Sequence, residues 1–342
     1  MKALVYHGPK DVRYDDVPDA RLNGPAGAIV RITLASICGS DLHIYHGETG
    51  RGTGFCIGHE AMGEVVEVGP ECFRYQVGDT VLVHAGVACG RCEGCITGLP
   101  GCTVQGVDFC YGLGPNLPGS QAELLAVPYA DVNLSRIPEG VDPENALLLA
   151  DCANTAWYGV KKAKVTTGST VVVIGQGPIG QVAVMGAYLQ GASRVFAVDP
   201  VAERRARAES VGAVAFDVET AQAAILEQLP WGADSVIDAV GTDATINTAL
   251  RLVRNRGAVS VVGLSPSKSA PFPMMRAQML SVDFHIGLAT GEDTQGLFRL
   301  MQQGKFDPKF VFSHRMPLSD GPRAYEMFDE RADGVSKILF EL

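Results

Sequence analysis

An apolar run, Thr170-Val171-Val172-Val173-Ile174, leads directly into Gly175-Gln176-Gly177-Pro178-Ile179-Gly180 and then into a helix-length apolar segment ending near Gln190. Few structures accommodate this order. In a strand–turn–helix the first glycine permits a tight turn, the second lets a pyrophosphate approach the backbone, and the third lets helix and strand pack closely. The helix N-terminus then aims unpaired N–H groups at the phosphates, and Pro178 suits a first helical turn, where a missing N–H costs nothing. Such a site needs an acidic residue at the end of the next strand, about 20 positions on, to accept the ribose hydroxyls. Asp199 closes Val195-Phe196-Ala197-Val198 and fills that place. Gly175, Gly177, Pro178, Ile179, Gly180 and Asp199 therefore predict a dinucleotide site. The Asp199 carboxylate favours NAD, whereas Arg204 and Arg205 nearby could accommodate the extra phosphate of NADP. Gly241, Gly263 and Leu264 follow later strands at the same sheet edge and are expected beside the cofactor.

Alternation continues after this unit, with a charged amphipathic helix over 201–211, a strand over 235–239, a helix over 243–253 and a strand over 258–262. Strands separated by helices predict a parallel, doubly wound α/β sheet. Before about Pro138 the apolar runs are short, rich in Val and Ile, and broken by Gly or Pro, as at 28–33, 63–68, 80–84 and 124–127, which predicts a mainly β half. Amphipathic patterns at 294–303 and 318–331 and an apolar end at 337–340 fit an extension of the second domain or a return to the first. At 342 residues the chain suits two domains. Its net charge of -10, without blocks of like charge, argues against nucleic acid and anionic membranes as partners. The longest apolar stretch, 171–189, contains too many Gly, Gln and Pro residues for a bilayer span. MKALVYHGPK has no extended apolar region, so the expected location is the cytoplasm.

Nine cysteines are present, and four of them, Cys89, Cys92, Cys95 and Cys102, fall within one short run interleaved with glycines. In a reducing compartment this density points to four thiolates around a structural zinc. A second set, Cys38-Gly39-Ser40-Asp41-Leu42-His43 and Gly58-His59-Glu60, contains zinc-compatible donors with carboxylates beside them. By residue type alone this set reads better as a buried Cys and a satisfied His.

Taken in order, Cys38-Gly39-Ser40-Asp41-x-His43, Gly58-His59-Glu60-x2-Gly63-x-Val65, Val77-Gly78-Asp79-x-Val81, the four-Cys run and Gly175-x-Gly177-x2-Gly180 resemble the zinc-dependent medium-chain alcohol dehydrogenase family through nearly the whole chain. The resemblance implies a GroES-like β-rich catalytic domain, 1–152 and 290–342, and a Rossmann domain, 153–289. It implies two zinc ions per chain and NAD. Cys38 and His59 would bind the catalytic zinc, Asp41 would orient His59, and Glu60 would lie close enough to exchange onto the metal. Registering Thr155 on the family's Thr makes Asp151 the third ligand, with Cys152 as its packed neighbour. A Cys-His-Asp site is similar to the tetrameric bacterial and glutathione-independent formaldehyde dehydrogenase branches.

The gap from Cys95 to Cys102 is one residue shorter than usual for this family. Either that loop tightens or Cys110 enters the shell. The implied chemistry is hydride transfer between NAD(H) and a small alcohol, aldehyde or ketone. In it Ser40 takes the alcohol proton, the nicotinamide ribose passes it on, and His43 releases it to solvent. Trp157, His84, Phe109 and Tyr111 line the substrate pocket or simply pack. A homo-oligomer, dimer or tetramer, is expected by analogy. The alternatives are an aldehyde dismutase with tightly bound NAD and a nucleotide-binding relative without catalysis.

Overall fold

Val171, Val172 and Val173 are completely buried because Thr170–Ile174 lies in the interior of a six-stranded sheet and is apolar towards both of its faces. The computed structural model describes residues 1–97, 102, 109–264 and 271–342. The chain forms two units, Met1–Asp151 with Thr290–Leu342, and Cys152–Ala289.

In the second unit the strands run in the order Val214–Phe216, Arg194–Val198, Thr170–Ile174, Ala233–Asp238, Val253–Val261 and Asp283–Ile286, all parallel. This is a doubly wound order. The chain reverses direction across the sheet between Thr170–Ile174 and Ala233–Asp238, which is where such folds bind nucleotides. The Gly-rich turn follows the first of these two strands. The charged helix spans Ala202–Ser210, and the next one, Asp243–Leu252, begins with a reciprocal cap between Thr242 and Thr245. The helices Cys152–Lys162 and Val218–Gln228, which the sequence reading did not assign, complete the alternation.

The first unit contains a sheet in the order Phe312–Pro317, Lys337–Glu341, Ala28–Ser36, Glu60–Val68, Thr80–Val83 and Leu134–Arg136, with Leu124–Val127 also paired to Ala28–Ser36. A three-stranded sheet of Asp11–Asp16, Lys2–Gly8 and Phe55–Cys56 accompanies it. The C-terminal strand packs here, antiparallel to Ala28–Ser36, so the last segment belongs to the β-rich unit. Tyr111, Tyr325, Ile338 and Phe340 fill the core of this unit, and Tyr111 is a core residue rather than an open pocket wall. Among the described residues no helix is long and apolar enough to cross a membrane.

Candidate active site

Antiparallel pairing of Ala28–Ser36 with Glu60–Val68 sets Ser36 opposite Glu60. Cys38, just past the end of one strand, and His59, just before the other, are thereby brought to the same edge. Gly58 allows the approach with a φ of 90°, and a Cβ there would collide with Gln121. Asp151 arrives from the segment after helix Pro143–Leu148. Its Oδ2 lies 3.3 Å from Cys38 Sγ and 3.6 Å from His59 Nε2.

One donor atom from each of Cys38, His59 and Asp151 falls within a 4.8 Å group. A zinc at about 2.0–2.3 Å from each donor would separate tetrahedral ligands by about 3.3–3.8 Å, so this set fits the metal. Asp41 is buried and serves both ligands: its Oδ2 accepts from the Cys38 N–H at 3.0 Å, and its Oδ1 lies 3.1 Å from His59 Nδ1. A carboxylate on Nδ1 leaves Nε2 as the coordinating nitrogen. In the metal-free chain, burial and the Asp151 charge push the Cys38 thiol up. Burial opposes protonation of His59, but Asp41, Cys110 and Cys38 outweigh it and raise the imidazole well above its ordinary value. Two groups that hold their protons this firmly give a site in which metal binding displaces protons, so its affinity falls in acid.

Ser40 Oγ lies 3.2 Å from Cys38 Sγ and 3.3 Å from His59 Nε2, inside the same group. His43 sits on the short helix Asp41–Tyr45 and pairs through Nδ1 with Glu48 at 2.6 Å. Glu60 lies outside the three-donor group. Its Oε2 is held by Ser36 and by the buried Lys337, whose Nζ stands 2.6 Å away, while Oε1 has no hydrogen-bond partner. Glu48 and Lys337 escaped the sequence reading because a lone Glu in a Gly-rich turn and a lone Lys in an apolar strand carry no spacing signal.

The other four cysteines converge separately. Cys92 Sγ lies 3.5 Å from Cys95 Sγ and 3.9 Å from Cys102 Sγ, and Cys89 Sγ lies 4.0 Å from Cys95 Sγ. Disulfide sulfurs would be about 2.05 Å apart, whereas four thiolates on one zinc stand about 3.8 Å apart. The Cys92 N–H donates to Cys89 Sγ at 3.3 Å, and Gly90 turns with a φ of 71° where a Cβ would meet Val132. Cys110 is not in this group. It sits in the field of His59, Asp151, Asp41 and Cys38, and burial pushes its thiol up to about 12. Residues 98–101 and 103–108 of the intervening loop lie outside the described residues.

At the nucleotide turn, Gly175 has a φ of 85° and would drive a Cβ into Val240, and a Cβ on Gly180 would strike the Gly175 carbonyl. Gly177 differs from both. It caps helix Pro178–Leu189 with a φ of -69° and a ψ of -175°, and among the described residues a Cβ there meets nothing within 4 Å beyond its chain neighbours. Its backbone angles do not require glycine, and the open space above it has the form a pyrophosphate cradle needs. Asp199 is buried, its Oδ2 accepting from the Gln176 N–H at 2.7 Å and its Oδ1 from the Val201 N–H at 2.8 Å. Arg205 is committed to the Asp199 and Pro200 carbonyls and to Asp217, while Arg204 Nη1 stands 4.0 Å from Asp199. A Cβ on Gly241 would strike the Gly263 carbonyl and one on Gly263 the Val240 backbone, Pro178 and Ile179 are half-buried, and Leu264 is exposed.

Residues 24–139 match the alcohol dehydrogenase GroES-like domain and residues 178–303 the zinc-binding dehydrogenase domain. A probable zinc-binding alcohol dehydrogenase of Mycobacterium tuberculosis is 41% identical, covering 95% of this chain and 84% of that protein. An uncharacterized zinc-type alcohol dehydrogenase-like protein of Bacillus subtilis is 34% identical over the full length of both. The alcohol dehydrogenase TADH from Thermus sp. ATN1 superposes with a TM-score of 0.93 at 37% identity, covering 100% of this chain and 99% of that one. A GroES-like unit carrying two groups of zinc-type donors, joined in one chain to a doubly wound nucleotide fold, defines a class of oxidoreductase. The chain belongs to the zinc-dependent medium-chain alcohol dehydrogenase family.

Proposed function

We propose that this chain transfers hydride between NAD(H) and a small alcohol or the corresponding carbonyl compound. Cys38, His59 and Asp151 hold a catalytic zinc in this reading, and Cys89, Cys92, Cys95 and Cys102 hold a structural one. What carries it is a thiol, an imidazole and a carboxylate within one 4.8 Å group, with the Ser40 hydroxyl touching two of them. Three protein ligands leave a tetrahedral ion one position for substrate. Bound there, zinc supplies the Lewis acidity that polarises a carbonyl or acidifies an alcohol.

The chain's own residues do the rest. Asp41 fixes the rotation of His59 and anchors the Cys38 backbone, so both donors are held before metal arrives. Ser40 Oγ takes the alcohol proton, and His43 passes it to solvent. Glu60, held through Oε2 by Lys337, would exchange onto the metal in competition with that pairing. Gly175, Gly177 and Gly180 seat the pyrophosphate, Asp199 receives the ribose hydroxyls, and Arg204 moderates its preference for NAD over NADP. A homo-oligomer fits the edge strand Asp283–Ile286, which among the described residues pairs on one side only, beside exposed Ile286, Met275 and Met279. The purified enzyme should reduce NAD with at least one member of a panel of primary, secondary and polyol alcohols, and should lose that activity to a chelator. Aldehyde turnover without added NAD would favour the dismutase alternative, and no turnover with any substrate would contradict the reading.

A further inference from the structure

Beside the partly exposed His43 stands a carboxylate that no part of the zinc or nucleotide chemistry requires. Helix Asp41–Tyr45 ends in a tight turn at Gly47, where φ is 78° and a Cβ would press on Pro9. The turn sends Glu48 back along the helix, and its N–H donates to the His43 carbonyl at 2.9 Å. Its carboxylate is thereby placed so that Oε2 lies 2.6 Å from His43 Nδ1. The second oxygen, Oε1, lies 3.8 Å from His46 Nδ1. His46 is itself held through Nε2 by Asp329 at 2.6 Å, and Lys10 closes the row on the other Asp329 oxygen at 2.8 Å. Lys10, His46 and His43 thus alternate with Asp329 and Glu48, and Arg323, Glu326 and Glu330 line the neighbouring surface hollow beside Tyr45.

We propose that Glu48 is a positioning residue for proton release, fixing His43 as its Nδ1–H tautomer so that Nε2 is the nitrogen free to accept. An ionised carboxylate only accepts hydrogen bonds, so its partner nitrogen must carry the hydrogen. One N–H bond forms at Nε2 when His43 takes the proton. The ring then carries a positive charge that Glu48 balances, and the same bond breaks when water receives the proton. The Glu48 N–H on the His43 carbonyl keeps the Glu48 carboxylate beside the ring.

The proposal rests on His43 being the proton exit, and the test separates the two ideas. In zinc-loaded enzyme, long-range proton–nitrogen correlation spectra should show neutral His43 with its hydrogen on Nδ1, and Glu48→Gln should mix the tautomers. The same variant should lower kcat for alcohol oxidation by about three- to tenfold. Zinc content and the KM for NAD should not change, and Glu48→Asp should recover part of the rate. If Glu48→Gln leaves both the tautomer and kcat as in wild type while His43→Gln slows the reaction, Glu48 has no such role and the proton exit stands. If His43→Gln leaves kcat and its pH profile untouched, the exit itself is wrong and the proposal falls with it.

Discussion

Replacing Gly177 by Ala isolates the nucleotide site from the stability of the fold. Among the described residues the new methyl group meets no atom within 4 Å beyond its chain neighbours, and a φ of -69° with a ψ of -175° is open to any L-residue. Losing glycine at a helix N-cap costs roughly 0.5–1 kcal/mol, and the reduced freedom of the unfolded chain returns about 0.4–1 kcal/mol. The net change in stability should therefore be within about 0.5 kcal/mol, or roughly 1–2 °C in Tm. The methyl group occupies the space through which a pyrophosphate must approach, and displacing the phosphates by even a few tenths of an ångström weakens charge-assisted hydrogen bonds. Losing one of these costs about 1.5–3 kcal/mol, or roughly ten- to a hundredfold in NADH affinity. Gly180→Ala is the contrast, because its Cβ strikes the Gly175 carbonyl and the fold itself should lose stability. Calorimetric titration with NADH, beside thermal unfolding in its absence, reads both quantities. Wild-type affinity in Gly177→Ala would refute the cradle.

Other consequences follow from the remaining contacts. Cys92→Ser removes a sulfur that neighbours both Cys95 and Cys102, so elemental analysis should fall from about two zinc ions per chain to about one, with a marked loss of Tm, because structural zinc contributes directly to folding. Asp199→Asn keeps an acceptor for Val201 but removes the charge. A carboxylate and a phosphate about 4 Å apart repel by at most about 4 kcal/mol, which Arg204 reduces, so the ratio of kcat/KM for NAD over NADP should narrow; a wild type that already prefers NADP would contradict the role of Asp199. Asp234 receives the Thr170 N–H and hydroxyl and Arg254 Nε, each at 2.7 Å. Burial works against its charge, but these bonds outweigh it and hold the carboxyl below its ordinary value. A depressed carboxyl stabilises the fold above its unfolded pKa of about 3.9 and loses that contribution as pH falls through the native value. Asp234→Asn should therefore cost about 1–3 kcal/mol at neutral pH and flatten the loss of stability below about pH 4; unchanged denaturant midpoints at pH 7 would contradict this.

Local chemistry made half of the molecule legible. The turn from Gly175 to Gly180, its flanking strand and the carboxylate of Asp199 lie within one continuous stretch whose spacing has a physical cause. The four cysteines are similarly local. Cys38, His59 and Asp151 are separated by most of a domain and meet only through sheet pairing, so spacing alone left Cys38 and His59 as ordinary buried residues. Resemblance to the family placed them, and a single threonine register placed Asp151. The pairing of Glu60 with Lys337 depends on the C-terminal strand returning beside Ala28–Ser36, which an apolar end compatible with either domain did not reveal. Helix Cys152–Lys162 was not read from the sequence either, although its buried Cys152, Ala156, Gly159 and Val160 recur at helical spacing. Of the two expectations for the four-Cys run, the structure leaves Cys110 outside the group, in the field of His59, Asp151, Asp41 and Cys38.

Most depends on the composition of the donor group at Cys38, His59 and Asp151, and the adjacent Cys152 supplies the contrast. Cys152 is buried and lies outside that group. Replacing only the catalytic zinc with cobalt(II) and recording the sulfur-to-metal charge-transfer bands counts the thiolates on the ion. The expected spectrum has the intensity of one thiolate, is unchanged in Cys152→Ala, and is lost in Cys38→Ser. Two-thiolate intensity that falls in Cys152→Ala would show that the third ligand is Cys152 and not Asp151.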